Sequence, residues 1–500
     1  MNRDHFAHLR RFVPPAVTVL STSAGLFLLV GCSVTLPLPP TPAFSVPRAF
    51  HATPADAPTV LDNPTAVHSP WWSALGDSQL DTLIDLALRN NRDLRVAKAR
   101  IDQARALADF DQAVRLPMVG LNQQASRARA SRNVDVPVSV TGPPTATARA
   151  PALKVAPSTY NSRLRLSLDA TYEADLWGRL SHEAHASQQR AAASEHDLQV
   201  ARLSLTANVI TSHRMLKTQQ AQAALLEEMV HLGERRLSGL RARVSAGLAD
   251  DSAPDALQIS VADNRAQALR MQERIALGRH ALALLCGVAP GALPVPADTT
   301  APAALPAALP TLSDMPSTVL LRRPDVRSAQ AQLDAALSDA GAARADFFPT
   351  LKLTTGAGTE SSALAMLLKP GSAIWSLAAQ VSSPLFDGGR RNAQFAAARA
   401  RLDEAAQHYE GVVLGVLREV EDALTTASAL QAQAAQEALA AEAALRRARQ
   451  AAERADTGMD ARLGELELRQ AALQRQLSLL DTHAQAFVAQ VTLRKVLAQP

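Results

Sequence analysis

The chain has few residues of the kinds that stabilise a wide globular core. Aromatic residues make up 4% of its 500 positions, and it has two cysteines, Cys32 and Cys286. Two cysteines are too few for the disulfide framework of a small secreted domain. Alanine, leucine, glutamine, arginine and glutamate are abundant instead, and this composition favours long helices.

The chain also lacks a strong excess of either charge. It has 51 basic and 47 acidic residues, for a net charge of +4, and the two signs are interspersed. Nucleic-acid-binding proteins carry a basic stripe or patch. We therefore expect no nucleic-acid partner.

No catalytic or cofactor-binding motif stands out in the sequence. There is no phosphate-binding glycine loop followed by Lys-Ser or Lys-Thr, so any energy that the function needs must come from elsewhere. His182 and His185 are one residue too close for the zinc-protease spacing that places two histidines on one helix face. We expect a protein that is not an enzyme and that has no metal site.

The long apolar run near the N-terminus resembles a secretory signal rather than a membrane-spanning helix. It follows three arginines and ends in the letters LFLLVGC, which resemble the bacterial lipobox. We predict that residues 1–31 are a lipoprotein signal peptide and that Cys32 carries a covalent lipid. An ordinary signal peptide with an unrelated cysteine is the alternative. The Pro-rich residues 32–70 are predicted to be a lipid-anchored tether.

A stretch in the second half of the chain repeats one near the front. LLRRPDVRSAQAQLDAAL aligns with LRNNRDLRVAKARIDQAR at an offset of 232 positions. The alignment superimposes three charged residues and a proline, namely Asp93, Arg95, Asp102 and Pro117 on Asp325, Arg327, Asp334 and Pro349. A repeat this long predicts a protein built twice from one plan. We expect one structural repeat over 71–290 and a second over 317–500, with a linker at 291–316.

Each half predicts the same order of elements. A short amphipathic helix precedes one of about 25 residues, at 92–116 in the first half and 324–348 in the second, and Pro117 and Pro349 end these helices. Alternation of apolar and polar residues, clearest in YNSRLRLSLDATYEA, then predicts two strands. The resulting β-hairpins are expected over 118–175 and 350–383.

Two proline-free intervals then predict unusually long helices. Arg179 and Gly247 are 68 positions apart, as are Arg390 and Gly458. A continuous helix of that length measures about 100 Å, several times the usual length. With the helices that run back, each half forms a long antiparallel helical hairpin, at 179–286 and 390–498. The strand-to-helix turns are expected at Gly178, Arg179, Gly388, Gly389 and Arg390.

The predicted fold class is therefore mainly α with a small β part. Four strands have two open edges and cannot close a barrel, so other copies of the chain must close them. A bacterial membrane barrel has an even number of strands, typically eight or more.

Together these features resemble the outer-membrane efflux protein family. The resemblance rests on the tether, WWSALGDSQLDTLIDLAL, NRDL, LWGR, AGL and RRPDV, and it extends from Trp71 to the end. It is nearest to TolC-like proteins of the NodT-type lipoprotein subgroup, which serve resistance–nodulation–division (RND) pumps. The resemblance implies a homotrimer with one twelve-stranded β-barrel above a helical tunnel, the α-barrel.

The resemblance also implies a function and a location. The protein would be a passive exit duct, lipid-anchored in the bacterial outer membrane and extending into the periplasm. It would dock to a periplasmic adaptor and an inner-membrane RND pump, which supplies the energy. Because the pump selects the cargo, the duct's sequence does not predict whether drugs, organic acids or metal ions leave through it.

In this family, the turns between long and returning helices form the periplasmic end. Acidic residues there form the gate, and those in reach in this chain are Asp250, Asp251, Asp255, Asp460, Glu465 and Glu467. Two pairs resemble the family's adaptor-contact tip, namely Gly247-Leu248 and Gly458-Met459. The acids can equally stabilise helix N-termini, and Ser252 with Asp255 resembles a capping box. Both interpretations of the acids stay open.

Three other functions fit parts of the sequence. A type I protein-secretion channel belongs to the same family, but the lipobox and the WW segment favour small-molecule efflux. A periplasmic adaptor lipoprotein would have one helical hairpin, whereas this chain has two equivalent halves. A peripheral coiled-coil lipoprotein would not need the alternating strands.

Overall fold

A computed structural model describes Phe50, residues 71–129, Ser131, and residues 160–293, 316–457 and 462–497. The predicted signal peptide, nearly all of the tether and most of the linker lie outside these residues. The chain divides into two compact units. The sheet unit includes Val114–His182 and Ala340–Phe395, and the helical unit includes Glu183–Asp339 and Ala396–Pro500.

The sheet unit contains one antiparallel sheet of four strands in the order β1-β2-β3-β4. Its strands are β1 (Met118–Arg129), β2 (Tyr160–Ala174), β3 (Thr350–Ser361) and β4 (Ala373–Ser382). Alternating residues and β-branched or aromatic side chains favour these strands. Among the described strands, β1 pairs with β2 alone and β4 with β3 alone, so both outer edges are open.

Helices make up most of the other described residues. They are α1 (Ser78–Asn90), α2 (Arg92–Val114), α3 (Arg179–Ser245), α4 (Ala253–Leu285), α5 (Pro316–Arg322), α6 (Pro324–Ala345), α7 (Arg390–Asp456) and α8 (Arg462–Val496). Both α3 and α7 have 67 residues. The predicted fold class, mainly α with a small β part, is confirmed.

The helices before the two hairpins end earlier than we predicted. We expected them to run to Leu116 and Phe348, directly before a proline, but they end at Val114 and Ala345. The residue before a proline is sterically biased away from the α conformation, so the helix stops sooner.

In the helical unit, α3 lies between a helix of its own half and a helix of the other half. A Cβ on Gly233 would lie 2.7 Å from Val261 of α4, and a Cβ on Gly239 would lie 3.0 Å from Leu463 of α8. The two glycines therefore permit close helix approach on two sides of α3. The halves interleave rather than form separate bundles.

The largest hydrophobic cluster of the helical unit packs α1 against α3 and α4. Leu83 and Ile84 of α1 are buried with Ile210 and Leu282. Cys286 lies in the same cluster, where burial raises the pKa of its thiol to about 11. A thiol with such a pKa stays protonated and packs as a small apolar side chain.

Candidate functional site

The sheet presents one apolar face. The register places alternate residues of the four strands side by side, and most of those on this face are apolar. The large ones are Val119, Leu121, Tyr160, Leu164, Leu166, Leu168, Tyr172, Leu351, Leu353, Trp375, Leu377 and Val381. Trp375 is 82% exposed and Leu377 is 73% exposed. Val119, Leu121, Leu168 and Val381 of this face are exposed as well.

The opposite face of the sheet is mostly polar, and several of its charges are paired. Arg163 Nε lies 3.2 Å from a carboxylate oxygen of Glu360 on the neighbouring strand. The Asp169 carboxylate accepts hydrogen bonds from Asn122 Nδ2 at 2.6 Å and from Ser167 Oγ at 2.9 Å. Side chains of this kind are stable next to water.

A sheet with these two faces can separate lipid from water. Membrane barrels alternate apolar residues facing lipid with polar residues facing the lumen. The strands have 10 to 15 residues, and a tilted strand needs about 9–11 to cross the bilayer. The open edges of β1 and β4 expose backbone groups that lipid cannot satisfy, so such a wall is complete only when both edges are paired.

The first strand-to-helix turn contains the predicted Gly178 and Arg179. Gly178 has φ +80°, a conformation that favours glycine. Asp175 caps α3, because its carboxylate accepts from the Ser181 amide at 2.8 Å. Burial would raise the pKa of Asp175, but the Ser181 hydroxyl and the backbone amides outweigh it and lower that pKa. Arg179 forms an ion pair with Glu173 at 2.5 Å, and this pair links the turn to the end of β2.

The second strand-to-helix turn contains the predicted Gly388, Gly389 and Arg390, but its ion pair involves the next residue. Gly388 and Gly389 both have positive φ, at 66° and 87°, and Arg390 begins α7. The ion pair, however, comes from Arg391, whose Nε lies 2.7 Å from Asp387. The sequence analysis placed Arg390 at this turn and did not single out Arg391. The only signal for Arg391 was the Arg-Arg doublet.

Trp177 is a second residue of these turns that the sequence did not single out. Its indole Nε1 donates to the Pro349 carbonyl at 2.8 Å, and its ring stacks on Phe348 at 4.8 Å between centroids. Trp177 thus connects the turn of the first half to the strand entry of the second half. Its presence within the LWGR stretch was the available signal.

The first helical turn, between α3 and α4, contains the predicted Gly247 and Leu248. Gly247 has φ +69°. The Leu248 amide donates to the Arg243 carbonyl at 2.8 Å and the Gly247 amide to Val244 at 2.9 Å, which is the pattern of a Schellman cap. A Schellman cap usually buries the residue after its glycine, but Leu248 is 67% exposed.

The predicted capping box at α4 does not form. Ser252 makes no side-chain cap. Its hydroxyl donates to Asp250 at 2.6 Å and its amide donates to the same oxygen at 2.7 Å, which lowers the pKa of Asp250. A local Asx turn forms instead of the capping box, because Asp250 is only two residues from Ser252. Asp251 and Asp255 are exposed, and Asp255 lies in the first turn of α4.

The second helical turn is partly described. Gly458, Met459 and Asp460 lie outside the described residues. Glu465 lies 3.3 Å from Arg462 and its side chain is 12% exposed. Glu467 lies 3.3 Å from Arg236 of α3, whose other nitrogen donates to Gln470 at 2.7 Å. Both described acids of this turn therefore have an arginine partner, unlike Asp251 and Asp255.

Two further properties concern the described ranges alone. They contain no group of three or more His, Cys, Asp or Glu side chains that could bind a metal ion. No described helix has both the length and the apolar character required for a membrane crossing. Cys32, the predicted lipidation site, falls outside these ranges.

Comparison with known proteins gives consistent matches along the chain. The sequence model of the outer membrane efflux protein family matches twice, at residues 83–288 and 315–499. The solvent efflux pump outer membrane protein SrpC of Pseudomonas putida is 31% identical over 84% of this chain and 85% of its own length. Outer membrane protein OprJ of Pseudomonas aeruginosa is 32% identical over 85% of each chain. The solved structure of the outer-membrane channel OprN superimposes with a TM-score of 0.78 at 27% identity, over 94% of this chain and 99% of that one.

Proposed function

The chain belongs to the outer membrane efflux protein family, and from this we propose that it is the exit duct of a tripartite RND-type efflux system for small molecules. The observation that carries the proposal is the four-stranded sheet. It has an exposed apolar face, a polar face with paired charges, and two open edges.

The open edges support a homotrimer. Four strands cannot enclose a lumen, and unpaired strand edges are not stable in lipid. Three copies would supply twelve strands, an even number within the range of outer-membrane barrels. The long α3 and α7 helices of each copy would form the wall of the periplasmic tunnel.

The helical turns support contact with a periplasmic adaptor. Leu248 is an apolar residue at a turn and remains exposed beside the rigid cap at Gly247. Gly458 and Met459 are the corresponding residues of the second turn. In this proposal the adaptor binds these pairs, and an inner-membrane RND pump supplies the energy.

The acids at the turns support a cation-favouring gate. Asp250, Asp251 and Asp255 are exposed on the first turn. With Asp460, Glu465 and Glu467, three copies would bring up to eighteen carboxylates together. We assign the duct no catalytic residue and no cofactor apart from a covalent lipid on Cys32, which anchors it to the outer membrane.

The test is the assembly and conductance of the purified mature protein. Unheated gels should show a heat-sensitive trimer, and planar bilayers should show stepwise ion conductance. A stable folded monomer that never conducts would contradict the proposal. In cells, Cys32→Ser should abolish palmitate labelling and weaken membrane attachment while trimers persist. If the wild-type protein attaches to the membrane but is not labelled by palmitate, the lipid anchor is refuted and the rest of the proposal is not affected.

A further inference from the structure

Two apolar pairs are exposed at the same end of the sheet, one beside each open edge. Leu385 and Phe386 follow β4 and are 98% and 90% exposed. Leu116 and Met118 lie where β1 begins and are 66% and 71% exposed. We propose that Leu385 and Phe386 of one copy pack against Leu116 and Met118 of the next copy, closing the seam between β4 and β1. This inference rests on the proposed trimeric duct.

Phe386 differs from the other aromatic side chains near the strand-to-helix turns. Phe347 makes an edge-to-face contact with Phe395 at 6.1 Å, and Trp177 stacks on Phe348. Phe386 has no such ring contact within the described residues. Contiguous exposed apolar patches mark interaction sites, and Leu385 and Phe386 are adjacent.

The strand registers bring the two pairs together. The register in which β4 pairs with β1 of the next copy must keep the apolar side chains of both strands on one face. A slip of one residue would move all the apolar side chains of one strand to the opposite face. If the outer ends are flush, Ala373 lies opposite Arg129, Val381 lies opposite Leu121, and Phe386 falls level with Leu116. A slip of two residues places Phe386 level with Met118. Each of these two registers preserves the faces and produces the contact.

A second copy fits this surface better than lipid does. Leu385 and Phe386 are adjacent in sequence and both exposed, so they form one apolar patch beyond the end of β4 at Ser382. Leu116 and Met118 form a matching patch beside the edge with which β4 must pair. In the duct, the contact would seal the seam where the strands end.

Cysteine pairs test the contact directly. Full-length protein with Phe386→Cys combined with Leu116→Cys or Met118→Cys should form reducible dimers and trimers on denaturing gels after mild oxidation. The matched control combines Leu116→Cys with Trp375→Cys. Trp375 is equally exposed but is eleven residues nearer the outer end, about 36 Å along the strand, so no cross-link is expected. Cys286 is fully buried and should not contribute.

The contact should also affect trimer stability. Phe386→Ser should lower the temperature at which trimers dissociate on gels, whereas Phe386→Leu should dissociate near the wild-type temperature. Conducting trimers without either cross-link would overturn this inference and leave the proposed function intact. Quenching of a fluorophore at Phe386→Cys by brominated lipid would show a lipid-facing side chain and also overturn it. Loss of trimers and conductance in the wild type would instead contradict the proposed function.

Discussion

Asn91 donates a hydrogen bond from Nδ2 to the carbonyl of Leu285 at 3.0 Å, joining the start of α2 to the end of α4. The equivalent position of the second half, 232 residues later, is Arg323, which donates to the Val496 carbonyl at 3.0 Å. Each half therefore uses the residue before its pre-hairpin helix to cap its returning helix. The internal repeat preserves this junction although the residue types differ.

Asn91→Ala should destabilise the helical unit. Asn91 is buried, and its Oδ1 also accepts from the Leu94 amide at 3.0 Å, which caps α2. Loss of the cap costs about 0.5–2 kcal/mol, and an unsatisfied buried carbonyl costs about 1–3 kcal/mol. The thermal midpoint of the helical circular dichroism signal should fall. Asn91→Asp retains the cap but loses the donor, so wild-type stability in that variant would show that the Leu285 bond contributes nothing.

Arg323→Lys should also be destabilising, despite the conserved charge. The guanidinium is 10% exposed and lies 2.5 Å from Asp325 and 2.9 Å from Glu419, besides its bond to Val496. The single ammonium group of lysine cannot reproduce the planar set of N–H donors with which the guanidinium contacts all three partners. The matched control is Arg89→Lys, since Arg89 forms an exposed pair with Asp85 that contributes at most about 0.5 kcal/mol. Equal thermal midpoints for the two variants would contradict the expectation.

Gly358→Ala should impair assembly of the sheet. A Cβ at this position would lie 2.1 Å from the Leu166 carbonyl and 2.6 Å from the Ser167 Cα, and backbone atoms cannot rotate away. Overpacking of this kind costs about 1–3 kcal/mol. Gly120→Ala in β1 is the matched control, because its Cβ would have no neighbour within 4 Å. The yield of trimers on unheated gels should fall for the first variant and stay at the wild-type level for the second.

Stability should decrease as the pH falls below about 6.5, the ordinary pKa of histidine. His213 donates to Asp77 at 3.0 Å, and its Nδ1 is buried without a hydrogen-bond partner among the described residues. Burial lowers the pKa of His213, so the unfolded chain binds more protons than the folded one and acid favours unfolding. His213→Gln retains a donor without the titration, so its thermal midpoint should change less between pH 7.5 and 5. A variant with the wild-type pH dependence would assign the effect to another group, such as His483.

Asp77 should contribute at lower pH. Burial would raise the pKa of Asp77, but hydrogen bonds from Lys217 and His213 outweigh it and hold that pKa at about 2. The stabilisation is therefore present above pH 4 and is lost as the pH falls toward 2. Asp77 is also the N-cap of α1, so Asp77→Asn should retain part of the cap and lose the acid-dependent component. Acid unfolding curves of the two proteins should converge near pH 2.

Neutralising the exposed acids of the first turn should reduce the cation preference of the duct. Asp251→Asn with Asp255→Asn removes two exposed charges that form no ion pair with a described residue, whereas Glu467→Gln removes a charge beside Arg236. Reversal potentials in a salt gradient should shift more for the first variant. Because salt screens exposed charges over about 10 Å at 0.1 M, the difference should shrink at 1 M salt. An unchanged reversal potential in the double variant would remove these acids from the gate.

Local patterns predicted the elements of this protein well. The alternation in YNSRLRLSLDATYEA coincides with β2, and the two proline-free intervals coincide with the 67-residue helices α3 and α7. These signals are local, because strand and helix periods act over consecutive residues. The glycines at 178, 247, 388 and 389 were equally readable, since positive φ favours that residue.

The sequence by itself thus determined a duplicated chain of long helices and four strands, two of them with an open edge. Only the tertiary structure decided which side chains form the ion pairs, helix caps and helix contacts. The ion pair of the second strand-to-helix turn involves Arg391 rather than Arg390. The Ser252 hydroxyl donates to Asp250 instead of forming the expected capping box. In the helical unit, α3 lies between α4 and α8. The helix packing depends on distances between residues that are far apart in sequence. The ion pair and the turn depend on competition between neighbouring residues that are equally suitable. The periodicity of the sequence predicts neither.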